Sequence, residues 1–390
     1  MFSLDRFYNI IHNNLVNPLP NAKSTYFYPF GTYQTEIEIV DKFNSSNITQ
    51  FRSQSGSLSI YFIDQEPLYD FNIIDDKLKF LINSIIIANS EHSNLKTKYI
   101  IDNKYYDWYY FFHGFIALDW YRDFQYVNST SFNRFDKVFI CYNHLISNYR
   151  SYRLHLVSNL IEQDLVQHGR VSLFLNDSIG TWQEAIVDPE SPLDNRAKLK
   201  IQQALADLTE PLTIDTDTPN GTMSADINIE ELTSALWYIV TETVYFFPKL
   251  HLTEKVFKPI VARRPFILVA APGNLAYLKS YGFKTFDHWI DERYDQEQDH
   301  YIRIEKITAE IAKLCALSKK ELEQMYAEMQ EILEYNFNHF YGEFKNIIVN
   351  EMVDNFAGVL DEINSTRREG YLKYIIPEDY LAEVKKRLKQ

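Results

Sequence analysis

The chain has few cysteines and few glycines, and each scarcity excludes a class of protein. Its 390 residues include only two cysteines, Cys141 and Cys315, too few for a disulfide framework. Both lie in apolar runs, so we expect buried, reduced thiols in a reducing compartment. The 11 glycines form neither a G-x-x-x-x-G-K-[ST] phosphate loop nor a G-x-G-x-x-G fingerprint. The usual markers of kinases and dinucleotide-dependent dehydrogenases are therefore missing.

Long apolar runs and an excess of positive charge are also missing. The longest apolar runs, such as residues 266–271, are far shorter than the roughly 20 residues that span a bilayer. The N-terminus has no basic start followed by an apolar core, so we expect no signal peptide and a cytoplasmic protein. The net charge of −14 argues against a broad face for nucleic acid or anionic membrane, although Lys and Arg cluster at 150–153 and 255–264.

Short aliphatic runs alternate with polar loops and amphipathic stretches along the chain. This alternation predicts an α/β protein with two Rossmann-like domains and helices at the C-terminal end. We place an N-terminal domain at 1–133, a second domain at 134–348 and a helical segment at 349–390 that can pack back on the first domain. The predicted strands are 58–63, 85–88, 137–142, 171–175 and 265–270, and the predicted helices are 73–81, 150–167, 301–317 and 319–341.

The segment 240–295 carries the strongest functional signal. A β-rich run leads to Thr253-Glu254-Lys255, a predicted helix to about residue 262, a strand, a Pro-Gly turn, a second helix and a short strand at 284–286. A helix start capped by Thr253 offers free N–H groups and partial positive charge, which suit a diphosphate. Lys255 is unfavourable in that first turn unless an anionic ligand offsets the repulsion. A solvated, charged helix start is the alternative interpretation.

This Thr-Glu-Lys motif follows a strand ending in Thr-Glu-Thr (241–243) and precedes a strand ending in Ala-Pro-Gly. That order resembles the donor-binding segment of fucosyltransferase-like glycosyltransferases. The segment is similar also to exostosin-like glycosyltransferases and to uncharacterised bacteriophage glycosyltransferases with GF-K-TF and DE-YD runs. The resemblance implies the GT-B fold, in which two Rossmann-like domains face across a cleft. It implies that Glu254 holds the nucleotide ribose and Lys255 the diphosphate. Glu242 matches an earlier family glutamate, but Thr-Val replaces the Asn-Ser pair that follows it there.

A second stretch, 143–160, resembles the family's strand–loop–helix that places an arginine at a helix start. Arg153, with Leu160 seven residues later, fits that spacing, and we include Asn143 among the donor-binding residues. A guanidinium stays charged and can hold a diphosphate bidentately, so Arg153 and Lys255 would neutralise a departing diphosphate without a metal ion. The alternative for Arg153 is an ion pair on the helix surface.

Two carboxylates, Asp64 and Glu66, follow the predicted strand 58–63 at the edge where open α/β sheets place functional groups. An inverting sugar transfer needs a base to deprotonate the acceptor hydroxyl. The resemblance implies that Glu66 is this base, with Asp64 as the substitute if the register differs. A turn closed by Asp and Pro is the alternative.

The aromatic run 109–115 predicts an acceptor platform in which Tyr110 stacks on a ring and His113 is a weaker candidate base. Burial of the same run in the core is the alternative interpretation. We expect no bound metal or cofactor. The Asp-Thr-Asp match at 215–217 lacks a preceding apolar strand, so we attribute it to chance, and His and Cys show no zinc spacing.

We therefore expect a glycosyltransferase that moves a sugar from a UDP- or GDP-linked donor to a hydroxyl acceptor, with inversion and without a metal ion. The acceptor is a glycan, a protein or a modified DNA base. Two alternatives stay open. One is a viral enzyme of the host cytoplasm that glycosylates hydroxymethylated DNA bases. The other is a GT-B-shaped protein that binds a nucleotide or glycan without turnover.

Overall fold

The computed structural model describes residues 15, 22–27, 58–63, 85–88, 105–126, 135–177, 179–189, 191–214, 227–366 and 378–389. The strands are β1 (Ala22–Phe27), β2 (Leu58–Ile63), β3 (Ile85–Ala88), β4 (Tyr105–Asp107), β5 (Lys137–Cys141), β6 (Gly169–Val171), β7 (Ala235–Thr241) and β8 (Phe266–Val269). The α-helices are α1 (Phe112–Trp120), α2 (Tyr152–Glu162), α3 (Trp182–Val187), α4 (Asn195–Leu205), α5 (Ile229–Thr233), α6 (Phe257–Val261), α7 (Asn274–Ser280), α8 (His300–Cys315), α9 (Lys319–Tyr341), α10 (Glu343–Thr366) and α11 (Glu378–Lys389). This mixture of parallel strands and helices confirms the predicted α/β class.

The chain divides into two compact units, one made of residues 1–116 and 345–390 and the other of residues 117–344. In the first unit, β1 to β4 form a parallel sheet in sequential order. The predicted strands at 58–63 and 85–88 are confirmed as β2 and β3. The predicted helix at 73–81 lies outside the described residues.

The aromatic run after β4 packs against α10 within the first unit. The Trp108 indole N–H donates to the Met352 carbonyl at 3.0 Å, and Asn355 Nδ2 donates to the Tyr109 carbonyl at 2.7 Å. The Trp108 ring lies 5.3 Å from that of Phe356. Aromatic side chains bury large apolar areas, so this run forms a core beside α10.

In the second unit the parallel sheet has the order β6-β5-β7-β8. The chain runs from β5 to β6 on one side and then returns to place β7 on the other side. The strand order therefore reverses between β5 and β7, and open parallel sheets bind ligands outside the carboxyl ends of strands at such a reversal.

The centre of this sheet is covered on both faces. Every residue of β7 and β8 is buried, as expected for parallel strands between layers of helices. The Trp237 ring contacts the Phe286 ring at 5.6 Å between centroids, and Phe266 contacts the same ring at 5.2 Å. Helix α2 is buried from Tyr152 to Leu160, so it is a central helix rather than a surface one.

Helix α9 matches its predicted bounds, and its N-terminus has a capping box between Ser318 and Glu321. The predicted strand at 284–286 is wrong, because its backbone and side-chain groups bond to side chains instead of a sheet. Lys284 N donates to Asn336 Oδ1 at 2.9 Å, and Phe286 N donates to Glu292 Oε1 at 2.7 Å. The strand predicted at 171–175 overlaps β6 only at Val171, and beyond β6 Leu173 forms an isolated antiparallel bridge with Leu212.

The prediction of one continuous helix from Thr253 to about residue 262 is also wrong. This segment consists of a 3₁₀ turn, Glu254–Val256, followed by the five residues of α6. Pro259 lacks an N–H group, and its ring conflicts with the carbonyl of Lys255 in a regular α-helix. The start of this segment therefore carries a much weaker dipole than a long helix would.

The carboxylate of Asp177 joins the loop after β5 to the loop after β6. Its Oδ2 accepts hydrogen bonds from the backbone of Ile146 at 2.8 Å and of Ser147 at 2.9 Å. Its Oδ1 accepts from the backbone of Ile179 at 2.8 Å and of Gly180 at 3.2 Å. Burial alone raises the pKa of Asp177, but these hydrogen bonds outweigh it and hold the pKa below its ordinary value of 3.8.

We predict that Asp177→Asn lowers the free energy of unfolding by about 1–2 kcal/mol at neutral pH, because an NH₂ group replaces one of the accepting oxygens of a half-exposed side chain. The depressed pKa of Asp177 stabilises the fold above 3.8 and ceases to do so as the pH falls through the folded-state value. The difference from the wild type should therefore shrink in acid. Urea unfolding measures it, with the exposed Asp207→Asn as control; equal losses in both variants would contradict the prediction.

Candidate functional site

Arg153 bridges the two strand ends at which the sheet order reverses. Its Nη2 donates to the carbonyl of Thr241, the last residue of β7, at 3.0 Å. Its Nη1 donates to the carbonyl of Leu145, in the loop after β5, at 2.9 Å. The side chain is only 4% exposed, so the alternative of a surface ion pair is wrong. Arg153 instead ties the β5 loop to the end of β7.

One hydrogen-bond donor of Arg153 has no partner among the described residues. This donor is the Nε atom, which is buried. The charge of Arg153 also acts on neighbours. Burial raises the pKa of Tyr152 to about 12, and Arg153 opposes that rise. A guanidinium held by two carbonyl oxygens keeps its full charge, because carbonyls are neutral acceptors. The site therefore keeps a buried positive charge.

Asn143 lies just beyond β5 and is fully buried. Its Nδ2 donates to the Ser172 carbonyl at 3.1 Å and to Cys141 Sγ at 3.2 Å, and its backbone N–H donates to Ser172 Oγ at 3.0 Å. Its Oδ1 has no partner in the part of the chain that the structure describes. Asn143 thus fixes the end of β5 and leaves one buried acceptor.

Glu242, directly after β7, is also fully buried. Its Oε2 accepts from Thr253 Oγ1 at 2.5 Å, and its Oε1 accepts from Thr253 N at 3.2 Å. The Tyr152 hydroxyl donates to the Glu242 carbonyl at 2.5 Å. The end of β7 is therefore connected to the start of the 3₁₀ turn by a carboxylate and to α2 by a tyrosine.

Lys255 is the more exposed charged group of the Thr-Glu-Lys motif. Its Nζ donates to Thr253 Oγ1 at 3.0 Å and to Glu254 Oε1 at 3.1 Å. The side chain of Lys255 is 29% exposed, whereas that of Glu254 is 6% exposed. Arg153 is therefore linked to Lys255 by its hydrogen bond to Thr241, by the chain from Thr241 to Glu242, and by the hydrogen bonds of Thr253 to Glu242 and Lys255, all within residues 117–344.

The helix start after the Pro-Gly turn is not open to an anion. Gly273 adopts a φ of 84°, a conformation that favours glycine, and begins α7. Asp295 Oδ1 accepts from Leu275 N at 3.1 Å, and Oδ2 lies 3.5 Å from Ala276 N. Burial raises the pKa of Asp295, and these hydrogen bonds partly offset that rise. A carboxylate of the chain itself already occupies this N-terminus.

The other predicted site residues lie either outside the described residues or in the first unit. Asp64, Glu66 and the Asp-Thr-Asp match at 215–217 lie outside the described residues. In the first unit, Tyr110 is fully buried and His113 is 3% exposed. Tyr110 packs 4.7 Å from Trp108, and His113 packs 5.2 Å from Phe112. This burial contradicts an exposed acceptor platform and supports the core alternative.

Sequence reasoning missed a cavity of about 200 Å³ in the second unit. Its walls come from the start of α2, the start of α4, the loop after β7 and the start of α8. Asp194 and Asp299 are the N-caps of α4 and α8, and Asp is a common N-cap residue. No local sequence pattern shows that the starts of these two helices lie together. The lining residues are Tyr152, His155, Leu193, Asp194, Arg196, Ala197, Tyr245, Phe246, Gln298, Asp299, His300 and Tyr301.

No group of three or more His, Cys, Asp or Glu suited to a metal ion occurs among the described residues. None of the helices described combines the length and apolar character needed to cross a bilayer. No protein-family model matches the chain, and neither a curated protein nor a solved structure matches it. The chemistry of the site must therefore be inferred from its own residues.

We predict that Arg153→Lys lowers the free energy of unfolding by about 1–3 kcal/mol, because one ammonium cannot reach both strand-end carbonyls and one buried carbonyl loses its partner. Arg150→Lys, a half-exposed position in the preceding 3₁₀ turn, is the matched control. Chemical denaturation of both variants measures the difference. Equal stability of Arg153→Lys and the wild type would show that the bridge is dispensable.

Proposed function

We propose that the protein is a nucleotide-sugar-dependent glycosyltransferase of GT-B architecture that acts by inversion and without a metal ion. The observation that supports this most is the hydrogen-bonded connection of Arg153, Glu242 and Lys255 at the strand-order reversal. Open parallel sheets bind nucleotides at this position. The proposal also rests on the resemblance of the Thr-Glu-Lys segment to donor-binding segments.

Lys255 holds the diphosphate of the donor in this proposal. Its ammonium is partly exposed. The carboxylate of Glu254, which it contacts, and that of Glu242, which it reaches through Thr253, are almost fully buried. Arg153, which contacts the carbonyl of Thr241 next to Glu242, adds a buried positive charge to this edge of the sheet. Positive charge in a poorly solvated site acts more strongly on an anion than the same charge in water. Glu254 accepts hydrogen bonds from the ribose hydroxyls.

The transfer step follows from these roles. The acceptor hydroxyl oxygen attacks the anomeric carbon and forms a new C–O bond while the bond from that carbon to the diphosphate oxygen breaks. Glu66, or Asp64 in its place, takes the hydroxyl proton. The electron pair of the broken bond leaves with the nucleoside diphosphate, and Lys255 and Arg153 neutralise the charge that develops there.

We predict that Lys255→Ala weakens binding of the donor nucleotide by about 1.5–3 kcal/mol, because one charged hydrogen bond to the diphosphate is lost. This corresponds to a Kd about tenfold higher or more. Calorimetry with UDP and GDP measures the change and identifies the preferred nucleotide. Lys320→Ala, an exposed lysine in α9, is the control for loss of one positive charge. Unchanged affinity in Lys255→Ala would remove its proposed role.

We predict that Glu66→Ala, or Asp64→Ala if the register differs, abolishes sugar transfer while donor binding is retained, because only deprotonation of the acceptor is lost. Transfer is followed by mass spectrometry of the products from a panel of nucleotide sugars, with EDTA present because the proposed chemistry needs no metal ion. Transfer that survives both substitutions would reject both carboxylates as the base. Transfer that requires Mn²⁺ would return attention to the Asp-Thr-Asp match at 215–217.

A second function, nucleotide binding without turnover, is favoured by one observation. Both Nη atoms of Arg153 and both carboxylate oxygens of Glu242 are engaged within the protein, and Arg153 Nε has no partner among the described residues, so these groups can hold the site in place without taking part in a reaction. The two functions differ in one measurement. A wild type that binds a nucleotide but neither transfers nor hydrolyses any nucleotide sugar would be a binding protein.

A further inference from the structure

The cavity in the second unit is lined by none of the residues predicted to bind the donor. Two stacked pairs of rings form its walls. Tyr152 and Tyr245 stack with centroids 4.2 Å apart and an interplanar angle of 18°, and His155 and Tyr301 stack at 4.7 Å and 25°. Phe246 contributes a further ring, with its centroid 6.2 Å from that of Tyr152. Aromatic side chains therefore line the space on several sides.

These walls are held in place by buried hydrogen bonds. Arg303 is 1% exposed and donates from Nη2 to the Tyr245 carbonyl at 2.6 Å and from Nη1 to the Glu297 carbonyl at 2.7 Å. Its guanidinium also lies 4.1 Å from the centre of the Tyr245 ring. The Tyr245 hydroxyl donates to the His300 carbonyl at 2.6 Å. The cavity is therefore pre-formed, which lowers the entropic cost of binding a rigid ligand.

The polar groups of the cavity have no excess of positive charge. Arg196 lies between two carboxylates, with its Nε 2.8 Å from Asp194 Oδ2 and its Nη2 2.8 Å from Asp299 Oδ2. Burial, together with the nearby Arg303, lowers the pKa of His300 below 6.5, so His300 is neutral at pH 7. These groups offer hydrogen bonds to an uncharged ring and give no preference for a phosphate.

Size sets a further limit. The cavity measures about 200 Å³, whereas sites for whole drug-sized ligands occupy roughly 300–1,000 Å³. It therefore accepts a single ring system and not a complete nucleotide sugar. It adjoins the strand-order reversal, because Tyr152 lines it and also donates its hydroxyl to the Glu242 carbonyl.

We propose that this cavity binds the heteroaromatic base of a nucleotide and selects which base is accepted. The base packs against the aromatic side chains of the walls, and the polar rim at Asp194 and Asp299 hydrogen-bonds to its edge. The proposal deepens the proposed function, since a base seated here belongs to the nucleotide whose diphosphate reaches Lys255.

The test uses the full chain and fills the cavity from one side. Ala197, which lines the cavity and is 3% exposed, is replaced in Ala197→Phe, and the matched control on the same helix is Leu199→Phe at a position 56% exposed. Calorimetry measures binding of adenosine, guanosine, uridine and cytidine without phosphates, of glucose and galactose, and of pyrophosphate. We expect one nucleoside to bind the wild type and Leu199→Phe, and to bind Ala197→Phe about tenfold more weakly or worse, given the usual strength of base stacking. Pyrophosphate binding should stay unchanged.

A second variant, Phe246→Leu, keeps an apolar side chain but removes one ring, and it carries the test if Ala197→Phe does not fold. Phe246→Leu should weaken binding of the same nucleoside. The cavity assignment is overturned if no nucleoside binds, if both variants bind as the wild type does, or if a free sugar binds more tightly than any nucleoside. If the wild type binds a nucleoside, Ala197→Phe loses that binding and no sugar transfer is found, the cavity assignment stands and the transferase proposal is rejected. If sugar transfer occurs and Ala197→Phe leaves it unaffected, the transferase proposal stands and the cavity assignment is rejected.

Discussion

The arrangement of the second unit depends on one buried guanidinium. Arg153 satisfies the carbonyl of Thr241, at the end of β7, and that of Leu145, in the loop after β5. These carbonyls lie where the strand order reverses, and no strand lies between the two loops to accept or donate there. A buried carbonyl without a partner costs free energy, so a long, forked donor at this position holds both loops open at a fixed separation. The same residue brings Tyr152 beside it to the end of β7, where the tyrosine hydroxyl binds the carbonyl of Glu242.

In the proposed function, the residues that stabilise this edge of the sheet would also recognise the ligand. Glu242 supports the backbone of Thr253, and Thr253 in turn positions the ammonium of Lys255. A nucleotide at this edge would therefore bind groups that are already ordered, and little side-chain entropy would be lost on binding. The chain carries a net charge of −14, so attraction of an anionic ligand would depend on the local balance between Arg153 and Lys255 and the carboxylates of Glu242 and Glu254, and not on the protein as a whole.

The sequence predicts the features that depend on neighbouring residues and not those that depend on residues far apart in the chain. The strands β2 and β3 and the helix α9 were found within their observed bounds, because aliphatic runs and the Ser318–Glu321 capping box are local patterns. Lys284–Phe286 resembles a strand, but its partners are side chains at Glu292 and Asn336, which no local pattern reveals. The same limit applied to Arg153. Its position at a helix start was predicted, but its two carbonyl partners depend on the sheet order.

The cavity and the end of β7 share the side chain of Tyr152. Tyr152 contributes its ring to the cavity wall and its hydroxyl to the Glu242 carbonyl, so the two regions share a rigid side chain rather than a flexible linker. A ligand ring that stacks in the cavity presses on a group whose far end is fixed by a hydrogen bond of 2.5 Å. Movement of that ring would disturb the strand end that Arg153 holds. In the proposed function, selection of a base and retention of a diphosphate would therefore be connected through α2, whose first turn carries both Tyr152 and Arg153.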